Sequence, residues 1–170
     1  IVGICMQIFA IKTPLIKPKD DLVRVLLEAL QKENLELENR DVLAISSKAV
    51  ASADGCVVEL KTISPSRRGM ELAKKYSLET EFAELVQREA DDVYGGVEKA
   101  ILTLKNGVLV VNAGVDHKNA PVGFAAVWPL NPQRRAEQIR EEVRKRTGKD
   151  VGILIIDSAV APLRMGTRGM

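Results

Sequence analysis

The segment that decides the fold is Ala100-Ile101-Leu102-Thr103-Leu104, then Lys105-Asn106-Gly107, then Val108-Leu109-Val110-Val111. Two aliphatic, β-branched runs flank an Asn-Gly pair, and both of those turn residues tolerate positive φ. This is the strongest short-range signal for a β-hairpin. On its N-terminal side, residues 79–89 place Phe82, Leu85 and Val86 at helical spacing. Before them Ser64-Pro65-Ser66 opens another helix, with Pro65 expected near its first turn and Met70, Leu72 and Ala73 as its apolar positions. On the C-terminal side, residues 131–147 predict a long charged helix with Ala136, Ile139 and Val143 on one side, ending at Gly148. Residues 151–156 (VGILII) then form a wholly apolar strand that stops at Asp157.

Farther out, residues 41–47 (DVLAISS) have the short apolar pattern of a buried strand. Residues 56–60 predict another, entered through a turn at Asp54-Gly55. Asp20 and Asp21 are placed to cap a helix that starts near Leu22 and turns Leu22, Val25, Leu26, Leu27 and Leu30 inward. Residues 6–11 carry β-branched and aromatic side chains and predict a first strand. Helices and strands mix without a strict βαβ rhythm. The expected class is therefore α+β, a mixed and largely antiparallel sheet with packed helices. Neither an internal repeat, a low-complexity tract nor a long linker divides residues 1–170, so one domain is expected.

With 46% hydrophobic and 28% charged residues, the chain has the composition of a globular protein. A formal charge of +2 gives no nucleic-acid footprint, and the basic cluster between Arg134 and Lys149 is broken by acidic residues. No apolar run approaches the ~20 residues that span a bilayer. Two cysteines, Cys5 and Cys56, lack metal-ligand spacing, which fits buried thiols in a reducing cytoplasm. Many Lys, Arg and Glu beside few Asn and Gln is a thermophile-like balance. The chain opens on Ile1 rather than Met, which leads us to expect part of a longer gene product.

Two places could carry chemistry. Asn112-Ala113-Gly114-Val115-Asp116-His117-Lys118-Asn119 comes directly after the hairpin. Its small residues would let the backbone approach a ligand closely. Asp116 and Asn119 are oxygen donors of the kind that hold a hard cation together with phosphate oxygens; equally, they are residues that make side-chain turns. Asp157-Ser158 ends the last apolar strand, where a carboxylate has rigid support for metal or substrate, or simply caps a turn or helix. Ser46-Ser47-Lys48 offers hydroxyls and an ammonium to phosphate, although neither a Walker A nor a GxGxxG pattern is present. Arg164 and Arg168 could clamp an anion or lie solvated. His117 is either a general base or an exposed loop residue. No Ser-His-Asp or Cys-His order is readable, so no nucleophile or base is assigned.

Together these segments resemble the coenzyme F-420 gamma-glutamyl ligase family. The resemblance rests on Thr13-Pro14-Leu15-Ile16, residues 41–55 (DVLAISSKAVASADG), Ser64-Pro65-Ser66, residues 112–119 (NAGVDHKN) and residues 157–169 (DSAVAPLRMGTRG), in the family's order and spacing. It implies an intertwined α+β homodimer that joins L-glutamate to a carboxyl of a deazaflavin coenzyme precursor. GTP and Mg²⁺ or Mn²⁺ would be required, with K⁺ as an additional helper. For the residues it implies metal ligation by Asp116, Asp157 and Ser158, and nucleotide contacts from Thr13, Pro14, Leu15, Ile16, Ser47, Lys48 and Asn119. Two departures stand out. Ser52 occupies the place of a nucleotide-contacting Lys, and family members continue beyond the point where this chain stops at Met170. A partial member is therefore expected, either a ligase or a non-catalytic metal- and nucleotide-binding homologue.

Overall fold

A computed structural model describes residues 6–117, 120–129, 131–159 and 168–169, with backbone alone at 158, 159, 168 and 169. Helix α1 (Leu22–Lys32) starts where Asp21 accepts the N–H of Arg24, and that bond holds the Asp21 carboxyl below its ordinary value. Arg146 reaches the same carboxylate from helix α5 (Pro132–Thr147), at 2.8 Å. Helix α5 is capped by Asn131 and stopped by Gly148 in the left-handed region, and it buries Ile139 and Val143. Strand β1 (Val42–Ser46) pairs in parallel with the strand before Asp157, which runs Gly152–Ile156. Between them β1 and that strand close a core of Leu22, Val23, Ile45, Val50, Ile139, Val143 and Val151. Val50 belongs to helix α2 (Ser47–Ala53), which leaves the end of β1 directly.

The second core lies around the hairpin. Strand β2 (Val57–Glu59) leads into helices α3 (Arg67–Tyr76) and α4 (Thr80–Glu89). Strands β3 (Asp92–Val97), β4 (Ala100–Lys105) and β5 (Val108–Val111) then form an antiparallel meander. Asn106 and Gly107 turn the β4–β5 hairpin with φ of 51° and 76°. That is the double positive φ which the Asn-Gly pair predicts. Strand β6 (Phe124–Ala126) returns antiparallel to β2. Phe82, Leu85, Val86, Ile101, Ala113 and Ala125 pack inside this half. The parallel strand Gly152–Ile156 is thus β7, and a short antiparallel pair, β8 (Ser158–Ala159) and β9 (Arg168–Gly169), comes after it. The fold is α+β, as expected. Its described strands separate into small sheets, one parallel and the others antiparallel, rather than one mixed sheet.

Several local expectations need correction. Residues 6–11 form no strand. Met6, Ile8 and Phe9 are 78%, 82% and 58% exposed. They pair with no described strand, although the small sheets leave open edges. Pro65 stands before the helix, because Ser66 is the residue that accepts the Gly69 N–H and caps α3. Of the expected apolar positions Met70 faces solvent, while Ala73 is buried and Leu72 packs against the second core; Gly69 and Tyr76 complete the inward face. Leu154 and Ile156 of β7 are also exposed, so that strand is not covered on both faces. Cys56 is only half-buried, and Cys5 lies outside the described residues.

Glu84 carries a charge into the second core. It is 3% exposed and accepts the Ser66 N–H and hydroxyl at 2.9 and 2.6 Å and the Arg88 Nε–H at 2.7 Å. Burial pushes its carboxyl up, but the bonds from Ser66 and the Arg88 charge outweigh burial and leave it below the ordinary 4.5. Because the folded-state value is depressed, its stabilisation is complete above 4.5 and is lost as pH falls through the folded-state value. Replacing it, Glu84→Gln, is expected to cost about 2 kcal/mol at neutral pH. Urea unfolding at a series of pH values checks this. The gap between wild type and variant should narrow on acidification and must not widen.

Candidate functional site

The residues after β5 fold into a left-handed turn. Asn112, Ala113 and Gly114 have φ of 52°, 52° and 73° in succession. For a residue with a Cβ, this conformation costs about 1–2 kcal/mol. Three hydrogen bonds over-determine it. The Asn112 side chain accepts the Ile101 N–H at 2.8 Å, Thr103 Oγ1 accepts the Ala113 N–H at 2.8 Å, and the Val115 N–H returns to the Asn112 carbonyl at 2.8 Å. Thr103, fully buried, in turn donates its hydroxyl to the Val110 carbonyl. Backbone strain held by its surroundings is characteristic of functional turns.

The turn delivers Asp116 to an antiparallel bridge with β6. The Asp116 N–H donates to the Ala126 carbonyl at 2.9 Å, and the Ala126 N–H donates back at 2.7 Å. Lys48, on the first turn of α2, places its ammonium 2.6 Å from Asp116 Oδ2. Two residues beyond Ala126, the Trp128 indole N–H donates to Asp157 Oδ2 at 2.5 Å. Asp116, Asp157 and Lys48 therefore stand on the wall of one cavity of about 700 Å³, together with Lys99, Phe82 and His117. His117 sits edge-on to Phe82, with ring centroids 4.7 Å apart.

Gly114 is needed here for a reason different from the expected one. A Cβ at this position would lie 2.5 Å from Cδ1 and 2.7 Å from Cε2 of Trp128, and closer still to Nε1. The close approach that its small size permits is made by the protein's own indole.

The remaining candidates fall outside this wall. Ser47 lies beside Lys48 but is buried, and its Oγ has no hydrogen-bond partner among the described residues. Thr13, Pro14, Leu15 and Ile16 lie ahead of α1, with Leu15 exposed and Ile16 packed against the first core. Asn119 and Arg164 lie outside the described residues, as do the side chains of Ser158 and Arg168. Ser52 sits on α2, and the neighbouring Asp54 is clamped by Arg135 at 2.9 Å. Burial, then the charges of Asp54 and Glu89, pushes the Cys56 thiol up, away from the thiolate that nucleophilic catalysis needs. Sequence reasoning missed Trp128 and Lys99. For the former the sequence offers only that it is the single Trp of the chain; its pairing context, two residues past β6, is visible in the structure alone.

Whether the cavity suits a divalent cation depends on the donor set. Mg²⁺ typically keeps water and takes one or two carboxylates plus substrate phosphates, rather than an all-protein cage. Among the described residues no group of three or more His, Cys, Asp or Glu could hold a metal. Two carboxylates on the wall of a roomy cavity, with cationic Lys48 and Lys99 beside them, suit a cation that arrives with a polyphosphate.

Known proteins of similar sequence point to one family. The family profile described as F420-0:Gamma-glutamyl ligase matches residues 10–170. Coenzyme F420:L-glutamate ligase of Methanopyrus kandleri is 35% identical over 156 residues, 91% of this chain and 60% of that protein. The proteins of the same name from Methanococcus maripaludis and Archaeoglobus fulgidus are 33% and 31% identical, over 97% and 96% of this chain and 65% and 64% of their own lengths. The chain thus spans somewhat under two thirds of these curated relatives.

Thr103 is the pin of the strained turn, and Thr103→Val removes its hydroxyl at nearly constant volume. The Ala113 N–H and the Val110 carbonyl would be left buried without this partner, at a cost of about 2 kcal/mol. Chemical denaturation should show that loss, and a variant as stable as wild type would mean the turn does not depend on this hydroxyl.

Proposed function

The chain belongs to the F420-0:gamma-glutamyl ligase family, and on that premise we propose that it forms an amide between L-glutamate and a carboxyl of a deazaflavin coenzyme precursor at the expense of GTP, in the cytoplasm. The observation that carries the reading is the convergence of Asp116, Asp157 and Lys48 on one cavity from three separate parts of the chain.

A carboxylate is a poor acyl donor, so it must first be activated. A carboxylate oxygen of the precursor attacks the γ-phosphorus of GTP, the bond from that phosphorus to the β–γ bridging oxygen breaks, and GDP departs. The glutamate amine then attacks the acyl carbon, the bond to the phosphate oxygen breaks, and inorganic phosphate leaves as the amine gives up a proton. Such a sequence asks the protein for positioning and charge neutralisation rather than for a nucleophile. Asp116 and Asp157 would hold Mg²⁺ or Mn²⁺, and Ser158 is the third proposed ligand. When bound, the cation offsets negative charge on the β- and γ-phosphates. Lys48, with its side chain 44% exposed, can carry its ammonium from Asp116 to a phosphate oxygen. Lys99, on the same wall, offers a second cation to the phosphates. Thr13, Pro14, Leu15, Ile16, Ser47 and Asn119 are proposed to contact the nucleotide, and K⁺ to assist.

A homodimer is part of the proposal. Parallel strands are normally covered on both faces. On the outer face of β1 and β7, Val42 and Leu154 are 58% and 54% exposed, and Met6, Ile8 and Phe9 add a second apolar stretch. The competing reading, a metal- and nucleotide-binding homologue without ligase activity, is favoured by Ser52 alone.

Calorimetric titration with GTP and Mn²⁺ tests the site. Asp116→Ala and Asp157→Ala should each weaken metal-dependent binding beyond the ~10–100-fold typical of outer-sphere changes. Unchanged binding in both variants would remove the site. A gain in mass of the deazaflavin precursor that requires both glutamate and GTP separates the ligase from its non-catalytic alternative. Light scattering during gel filtration should return twice the 18.6 kDa of one chain, and a monomer at micromolar concentration would count against the dimer.

A further inference from the structure

Trp128 is not among the residues proposed to hold substrate or metal, yet three observations single it out. It is only 9% exposed. Such burial is costly for an indole N–H unless that group is bonded. Its bond goes to a candidate metal ligand, Asp157 Oδ2, at 2.5 Å. Its ring lies so close to Gly114 that no side chain at 114 could coexist with it in this position. The segment that carries it is fixed as well. The Val127 N–H donates to the Cys56 carbonyl at 3.0 Å, and Ala126 forms the two-way bridge to Asp116.

Resting on the reading that Asp157 helps to hold the divalent cation, we propose that Trp128 is a positioning residue for that carboxylate, with Gly114 as the clearance that seats the indole. One stiff segment then sets both acids. Its main chain fixes Asp116, and two residues later its indole fixes the orientation of Asp157. Outer-sphere donors of this kind orient ligands, and their removal typically costs about 10–100-fold in metal affinity. Phe at 128 keeps most of the ring but has no donor. Ala at 114 keeps the donor but displaces it.

The experiment measures Mn²⁺ binding in the presence of GTP by the electron paramagnetic resonance signal of free Mn²⁺, for the chain as it stands. Trp128→Phe should weaken Mn²⁺ binding about 10–100-fold, and should cause no further loss when introduced into Asp157→Asn. A residue that merely filled space would weaken binding equally in both backgrounds, and that result overturns the inference, as does wild-type binding by Trp128→Phe. If Trp128→Phe does not fold, Gly114→Ala answers under the same two-background rule. Trp128 is the only tryptophan of the chain, so Mn²⁺ should also quench the protein's indole emission in wild type and fail to do so at the same concentration in Asp157→Asn. Should Asp157→Asn bind Mn²⁺ as wild type does, the cation reading and this inference fall together. Should Asp157→Asn weaken binding while Trp128→Phe does not, only the positioning role falls.

Discussion

The pair of main-chain hydrogen bonds between Asp116 and Ala126 is the tie on which the arrangement depends. It joins the segment leaving the hairpin to a strand that is itself paired with β2, and β2 comes soon after α2. That tie fixes Asp116 inside the hairpin half, and from there the Lys48–Asp116 ion pair and the Trp128–Asp157 hydrogen bond reach the half built on β1, β7 and α5. Lys48 and Asp157 come just after β1 and β7, whereas Asp116 follows Val115 of the hairpin core, so the cavity is assembled from both halves. Main-chain bonds suit this role because they fix direction as well as distance, and buried backbone groups can rarely be left unpaired.

Most regular elements are legible in the sequence because local chemistry decides them. Asp21, Ser66, Asn131 and Gly148 stand at the helix ends they mark, and Asn106-Gly107 turns as that dipeptide must. The errors share one physical cause, tertiary context that a single sequence does not display. Residues 6–11 have strand composition but pair with no described strand and stay exposed. Strand β3 is hidden because Gly95 and Gly96 interrupt its pattern, yet β4 recruits it through a register shift that leaves Tyr94 out of the ladder. Strand β6 spans only Phe124–Ala126 and is defined by its partners rather than by its own periodicity.

The site divides in the same way. The acidic residues announce themselves, Asp116 through the polar loop behind a hairpin and Asp157 as the abrupt end of an apolar strand, and the fold brings both to one cavity. Their supports stay hidden, because a side chain that donates one hydrogen bond to a distant carboxylate leaves no pattern of its own. Trp128 reads in sequence as one more apolar residue, and its place becomes clear only once Gly114 and Asp157 are seen on either side of it. Glycine at 114 does allow a close approach, but the visitor is the indole rather than a ligand.

The left-handed turn also limits what this part of the chain can become. Ala113 combines a positive φ with complete burial and a backbone N–H spent on Thr103. Valine, isoleucine and threonine are barred by the backbone, and large or charged side chains are barred by the core. Among single-nucleotide neighbours of an alanine codon, glycine fits best: proline has no N–H for Thr103, and serine would bury a further hydroxyl. The position is nearly closed to evolutionary drift, although its methyl group faces the core rather than the cavity.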